Sequence, residues 1–114
     1  MSYGYSLSAL VEHTAHLQQV RKGDLRAGDR VMVLTRNSVY SIRVDDRGSY
    51  VVSGGWFDRK GLSPVKTTIA GCTWGGSAIK HDIIAACGLR LEFGNRLITS
   101  TIRKVFVFPR GREN

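Results

Sequence analysis

Two apolar stretches, Val31 to Thr35 and Ser38 to Val44, flank the polar pair Arg36-Asn37 and predict a β-hairpin. With that pair as the loop, Val31 lies opposite Ile42 and Val33 opposite Tyr40, while Met32 and Leu34 lie opposite Ser41 and Val39. Both faces carry apolar groups, so the hairpin is expected to be covered, at least in part, on both sides. A second hairpin is expected after Gly88. Leu89 to Phe93 and Arg96 to Thr99 flank Gly94-Asn95, and glycine at the first central position suits a type II′ turn. That register sets Leu91 against Ile98 and Phe93 against Arg96. Leu89, Leu91, Phe93 and Ile98 then share an inward face, with Arg90, Glu92 and Thr99 on the wet one. Tyr50 to Ser53, Val65 to Ala70 and Ile102 to Phe108 read as further strands, rich in β-branched and aromatic residues. Asp45 to Gly48 has the residue types of a turn.

The period changes near the N-terminus. Leu7, Leu10, Val11, Leu17 and Val20 recur at helical spacing, Ser6 is a suitable N-cap and Gly23 a suitable stop, which predicts an amphipathic helix over residues 6–22. Such a helix must lay its stripe on the sheet or on a partner subunit. Residues 78–87 carry a double signal. Ser77 as cap, Ile79 and Ile83 on one face and Gly88 as stop favour a short helix, which is the expectation taken here; the isoleucines equally suit extended chain. Residues 109–114, opened by Pro109, are expected to form a mobile basic tail.

These elements predict one domain over residues 1–114, of mainly β (α+β) class. Its 30–108 core is expected to be a small antiparallel barrel or strongly bent sheet of roughly five to seven short strands, led by the N-terminal helix. A chain of 114 residues with 42% hydrophobic content can bury a real core. No apolar run approaches the length of a membrane span, and Met1 to Ser6 lacks the basic start of a signal peptide, so a cytoplasmic protein is the default expectation. Two cysteines, Cys72 and Cys87, are too few for a disulfide framework.

Charge adds a functional constraint. Seventeen Lys and Arg against nine Asp and Glu give a formal net charge of +8, a balance that draws phosphate polymers and other polyanions. The surplus is densest late in the chain, where Arg90, Arg96, Arg103, Lys104, Arg110 and Arg112 face only Glu92 and Glu113.

The least generic stretch runs from Ile69 to Lys80 and holds Gly71, Cys72, Thr73, Trp74, Gly75, Gly76 and Ser77. Two readings fit it. Trp74 is either a core plug whose indole N–H is paired, or part of a binding loop in which Trp74, Thr73 and Ser77 face a ligand. Neither a P-loop nor a dinucleotide glycine pattern occurs. Single-strand binders join cationic grooves to stacking rings. Trp56, Phe57, Trp74 and Tyr40 are the available rings, and Arg90, Arg96, Arg103 and Lys104 the phosphate contacts. The expected function is therefore a small basic non-catalytic binding domain for nucleic acid or another polyanion. Its expected site is Trp56, Trp74, Thr73, Ser77, Arg90, Arg96, Arg103 and Lys104.

Two other classes compete. One is a protein-interaction or oligomerisation module, forming a homo-oligomer through the first helix or an edge strand. The other is a small enzyme using Cys72 and His81. Cys72, His81 and Cys87, or the pair His13 and His16, match no zinc spacing, so neither metal nor cofactor is expected.

Overall fold

A computed structural model describes residues 17–46, 48–74 and 78–110. Within them the chain forms β1 (Gln19–Arg21), a 3-10 turn (Lys22–Asp24), β2 (Arg30–Thr35), β3 (Val39–Val44), β4 (Tyr50–Gly54) and α1 (Gly55–Arg59). There follow β5 (Val65–Thr67), β6 (Ile69–Thr73), β7 (Ile79–Lys80), β8 (Ile83–Ala86), β9 (Arg90–Phe93) and β10 (Ile102–Phe108). The strands make three antiparallel sheets, ordered β10-β2-β3-β4-β5, β7-β6-β9 and β1-β8.

The mainly β class holds, but no barrel closes. Among the described residues, β5 pairs only with β4, and beyond β10 there is only an isolated bridge from Leu17 to Val105. Residues 69–93 leave the large sheet instead of extending it, and form most of the two smaller ones. The fold thus has more and shorter strands than the barrel expectation.

The first hairpin has the register its alternation predicts: Val31 pairs with Ile42, Met32 with Ser41, Val33 with Tyr40 and Leu34 with Val39. Val31, Val33, Tyr40, Ile42, Tyr50, Val52, Ile102 and Val105 point from the large sheet into the core, where they meet Cys72, Ile83 to Ala86, Leu91 and Phe93 from the small sheets. Phe57 of α1 joins them, stacked edge-on to Phe93 at 5.0 Å. Burying side chains of this size supplies roughly 1.5–3 kcal/mol each.

Three expectations need correction. The helix over 6–22 is not formed where the chain is described: Gln19–Arg21 is strand, pairing with β8, and Lys22–Asp24 is a 3-10 turn. Val20 faces the core while Gln19 and Arg21 are exposed, a period of two that the helical stripe had absorbed. Residues 6–16 lie outside the described part.

The short helix over 78–87 is replaced by β7 and β8. All of Ile83 to Ala86 is buried, and a strand covered on both faces shows no alternation to read.

The second hairpin is shifted by one residue. Its loop is Gly94-Asn95-Arg96, with Arg96 at φ 70°, and Glu92 rather than Leu91 bridges Ile98. The Phe93 N–H donates to Leu97 O at 2.9 Å and the Leu97 N–H to Asn95 Oδ1 at 3.1 Å. A three-residue loop of this kind ends in a left-handed residue. The slip turns Ile98 out to 44% exposure and packs Leu97 against the core. Gly94 is glycine for another reason: a Cβ there would collide with the Thr68 side chain, which crosses it.

Candidate functional site

The glycine-rich stretch is structural for most of its described length. Ile69–Thr73 is the central strand of its sheet, between β7 and β9. Thr73 is only 1% exposed and its hydroxyl donates to Ala78 O at 2.8 Å, so it does not face a ligand as the binding-loop reading expects. Ser77 lies outside the described residues. Trp74 leaves the strand and is 59% exposed, with Lys80 Nζ 5.3 Å from its ring centroid. That places it on the surface and not in the core, with a cation held on its face.

The other rings serve the core. Tyr40 and Phe57 are buried. Trp56 is half-buried, packed on the core and edge-on to Phe57 at 5.3 Å. The cations are dispersed as well. Arg90 begins β9, and Arg96 lies in the loop beyond the other end of that strand. Arg103 lies in a bulge of β10, and Lys104 pairs with Leu34. Of the residues singled out from sequence, the fold brings the backbones of Arg90 and Trp74 close: Trp74 follows Thr73, the Cα partner of Arg90.

Arg90 also borders a surface groove of about 510 Å³, lined by Arg36, Asn37, Arg90, Ile98 and residues 99–101. Its floor is tied by hydrogen bonds between segments distant in sequence. The Arg36 N–H donates to Thr101 O at 2.8 Å and the Asn37 N–H to Ser100 Oγ at 3.1 Å. Ser100 Oγ donates to Thr35 Oγ1 at 2.9 Å. Thr99 Oγ1 accepts from the Leu91 N–H at 3.1 Å and donates to Ser100 O at 2.8 Å. Beside it, Arg59 at the end of α1 donates to Ser38 Oγ at 3.3 Å.

Among the described residues, the carboxylate ion pairs are Arg21–Asp82 at 3.7 Å and Lys66–Asp45 at 2.8 Å. The guanidinium groups of Arg36, Arg59 and Arg90 therefore have no carboxylate partner there. Sequence reasoning missed Arg36 and Arg59. Arg36 carried only the signal of a turn residue, and nothing local set Arg59 apart.

The thiols point away from nucleophilic chemistry. Cys72 is fully buried, and burial pushes its thiol up to about 11, so it stays protonated at neutral pH. His81 lies on the surface, its Nδ1 3.2 Å from Ala70 O. Cys87 Sγ donates to the carbonyls of Leu17 and Arg103, each at 3.4 Å, and burial raises its pKa too. Both cysteines are free. Among the described residues, no three His, Cys, Asp or Glu are grouped as a metal site would need, and no helix is long and apolar enough to cross a membrane.

The raised Cys72 pKa has a measurable consequence. The folded state holds this proton more tightly than the unfolded chain, whose thiol has the ordinary value of 9.0. The contribution to stability is complete below about pH 9 and is lost as pH rises to about 11. Urea unfolding at pH 8 and pH 11 should show falling stability. Cys72→Ala should reduce that fall, leaving the parts due to Cys87 and Tyr50, both raised by burial in the same direction. An unchanged alkaline slope in the variant would refute the assignment.

No protein-family model, curated protein or solved structure matches the chain.

Proposed function

We propose that this chain is a non-catalytic binding domain for a phosphate-bearing polymer, best suited to single-stranded nucleic acid. The observation that carries the reading is the groove itself. Arg36, from the β2–β3 loop, and Arg90, from β9, line it without carboxylate partners among the described residues, and the exposed Trp74, outside the lining, follows the Cα partner of Arg90 in the chain. Guanidinium groups without a carboxylate partner suit phosphate oxygens. Trp74 offers a face to a base, and stacking on an aromatic side chain accepts any base. Hydroxyl and amide groups from Asn37, Ser100 and Thr101 supply polar contacts along the floor.

The test is a titration with fluorescent poly-dT at several salt concentrations. Binding should weaken steeply as salt rises. Arg36→Ala and Arg90→Ala should each reduce the log–log salt slope by about 0.7, the single-strand value per phosphate contact. Trp74→Ala should weaken binding by about 1–3 kcal/mol at fixed salt. If poly-dT fails to bind at low salt, or binds and ignores all three substitutions, the reading falls. The interaction-module class would then replace it.

A further inference from the structure

The large sheet has a second face, turned away from the core. On it Arg30 of β2 and Arg43 of β3 are direct cross-strand partners. One step along, Ser41 of β3 is the partner of Ser53 of β4. Residues two apart on a strand share a face, so Arg43 and Ser41 project to the same side, opposite to buried Ile42. Like charges set directly opposite each other on a sheet are destabilising. Among the described residues neither guanidinium has a carboxylate within 4 Å, although Asp45 attracts Arg43 at longer range. Asp45, just beyond β3, is held by Lys66 at 2.8 Å and by the Ser49 hydroxyl at 3.3 Å, and with Asp46 it borders a neighbouring hollow on the other side of the two arginines.

The two arginines border a hollow of about 200 Å³, whose other walls include Ser41, Ser53, Val51 and Pro64. Neither serine hydroxyl makes a hydrogen bond within the described residues, whereas those of Ser49 and Ser100 do. Two exposed guanidinium groups and two hydroxyls thus border one small space. Arginine is suited to bidentate contact with phosphate oxygens, and hydroxyls can donate to the remaining ones.

We infer that the Arg30–Arg43 hollow is a binding site for a tetrahedral phosphate group. It is separate from the groove: Arg30 and Arg36 bound opposite ends of β2, about 20 Å apart at the usual rise per residue. The site does not depend on the groove reading. An anion bound there converts the repulsive pair into a shared clamp, so its loss and the relief of repulsion act in opposite directions on stability.

That opposition supplies the test. Thermal unfolding of the full chain is followed in potassium chloride and in potassium phosphate at matched ionic strength. The wild-type Tm should rise with inorganic phosphate beyond its chloride value, by several degrees at about ten times Kd. Arg30→Gln and Arg43→Gln keep much of the arginine stem. Arg30→Gln should raise Tm in chloride, by removing the repulsion, and both variants should abolish the phosphate increment. Phosphate binding followed by calorimetry should weaken at least tenfold in each.

The same two variants also identify the source of the phosphate. If poly-dT binding and its salt slope are unchanged, the hollow takes a free phosphate or phosphomonoester. If the slope falls, a strand phosphate occupies it. A wild-type chain that responds to phosphate no more than to chloride overturns the site. So do variants that keep the full phosphate increment.

Discussion

Replacing Phe93 by alanine is expected to destabilise the fold by about 4 kcal/mol, within the range for emptying a buried aromatic site. The ring is fully buried where strands of different sheets and α1 meet. Its centroid lies 5.0 Å from that of Phe57, with the rings at 89°, and 5.6 Å from that of Tyr40. Tyr40 and Phe57 are themselves edge-on at 6.2 Å. One ring from the large sheet, one from the helix and one from a small sheet therefore form a closed triangle. Removing Phe93 breaks two of its three sides, each worth about 0.5–1.5 kcal/mol beyond the area buried. A domain of this length has roughly 6–17 kcal/mol in total, so the variant should be marginal. Its Tm should fall by about 15 °C, at roughly 4 °C per kcal/mol for this size. Phe93→Leu retains most of the volume and should lose less than half as much. Urea unfolding of the three proteins measures this directly. A loss under about 1 kcal/mol for the alanine variant would mean that the triangle does not hold the sheets together.

The same triangle shows which parts of the fold could be read from sequence. Residues 31–44 gave the correct register because their apolar positions constrain both strands and a two-residue loop leaves no slack. Ile102 to Phe108 was similarly clear, since Pro109 marks its end. The failures all involve long-range partners. Gly94 reads as a turn glycine, but the Thr68 side chain lies where its Cβ would be, and the loop closes one residue later. Ile83 to Ala86 had no periodicity because both faces are covered. Val20 was claimed by a helical stripe and in fact pairs with Ala85.

The candidate site was half visible. Trp74 and Arg90 stand out by residue type, and the register brings their backbones close, Trp74 following the Cα partner of Arg90. Arg36 did not stand out, because its place at the groove depends on Ser100 and Thr101 docking against the first hairpin. Arg96, Arg103 and Lys104 carry the same charge signal in sequence as Arg90, and only the meeting of strand ends decides which cations share a surface.

Gly71→Ala should be nearly as damaging as the loss of Phe93, for a different reason. Gly71 is buried in β6 at φ 145°, where side chains are rarely tolerated. A Cβ there would collide with the Lys80 carbonyl oxygen, and would lie 2.9 Å from its carbon and 3.0 Å from His81 Cα. All three obstacles are backbone, so no rotamer change relieves them. Backbone strain and the clash together should cost about 3 kcal/mol. The damage should also be directional. β7 pairs through Lys80 with Cys72 and through Ile79 with Thr73, so displacing Lys80 loosens the strand that carries the cation over Trp74. Poly-dT binding well below the Tm of the variant should then weaken by an amount similar to that in Trp74→Ala, although neither Arg36 nor Arg90 has changed. Gly23→Ala is the matched control: nothing lies within 4 Å of the added carbon and its φ is not in the left-handed region, so stability and binding should both stay at wild-type values. Wild-type unfolding in Gly71→Ala would show that Lys80 does not sit against this glycine. Lost stability with unchanged binding would separate the indole from the strand pairing that places it.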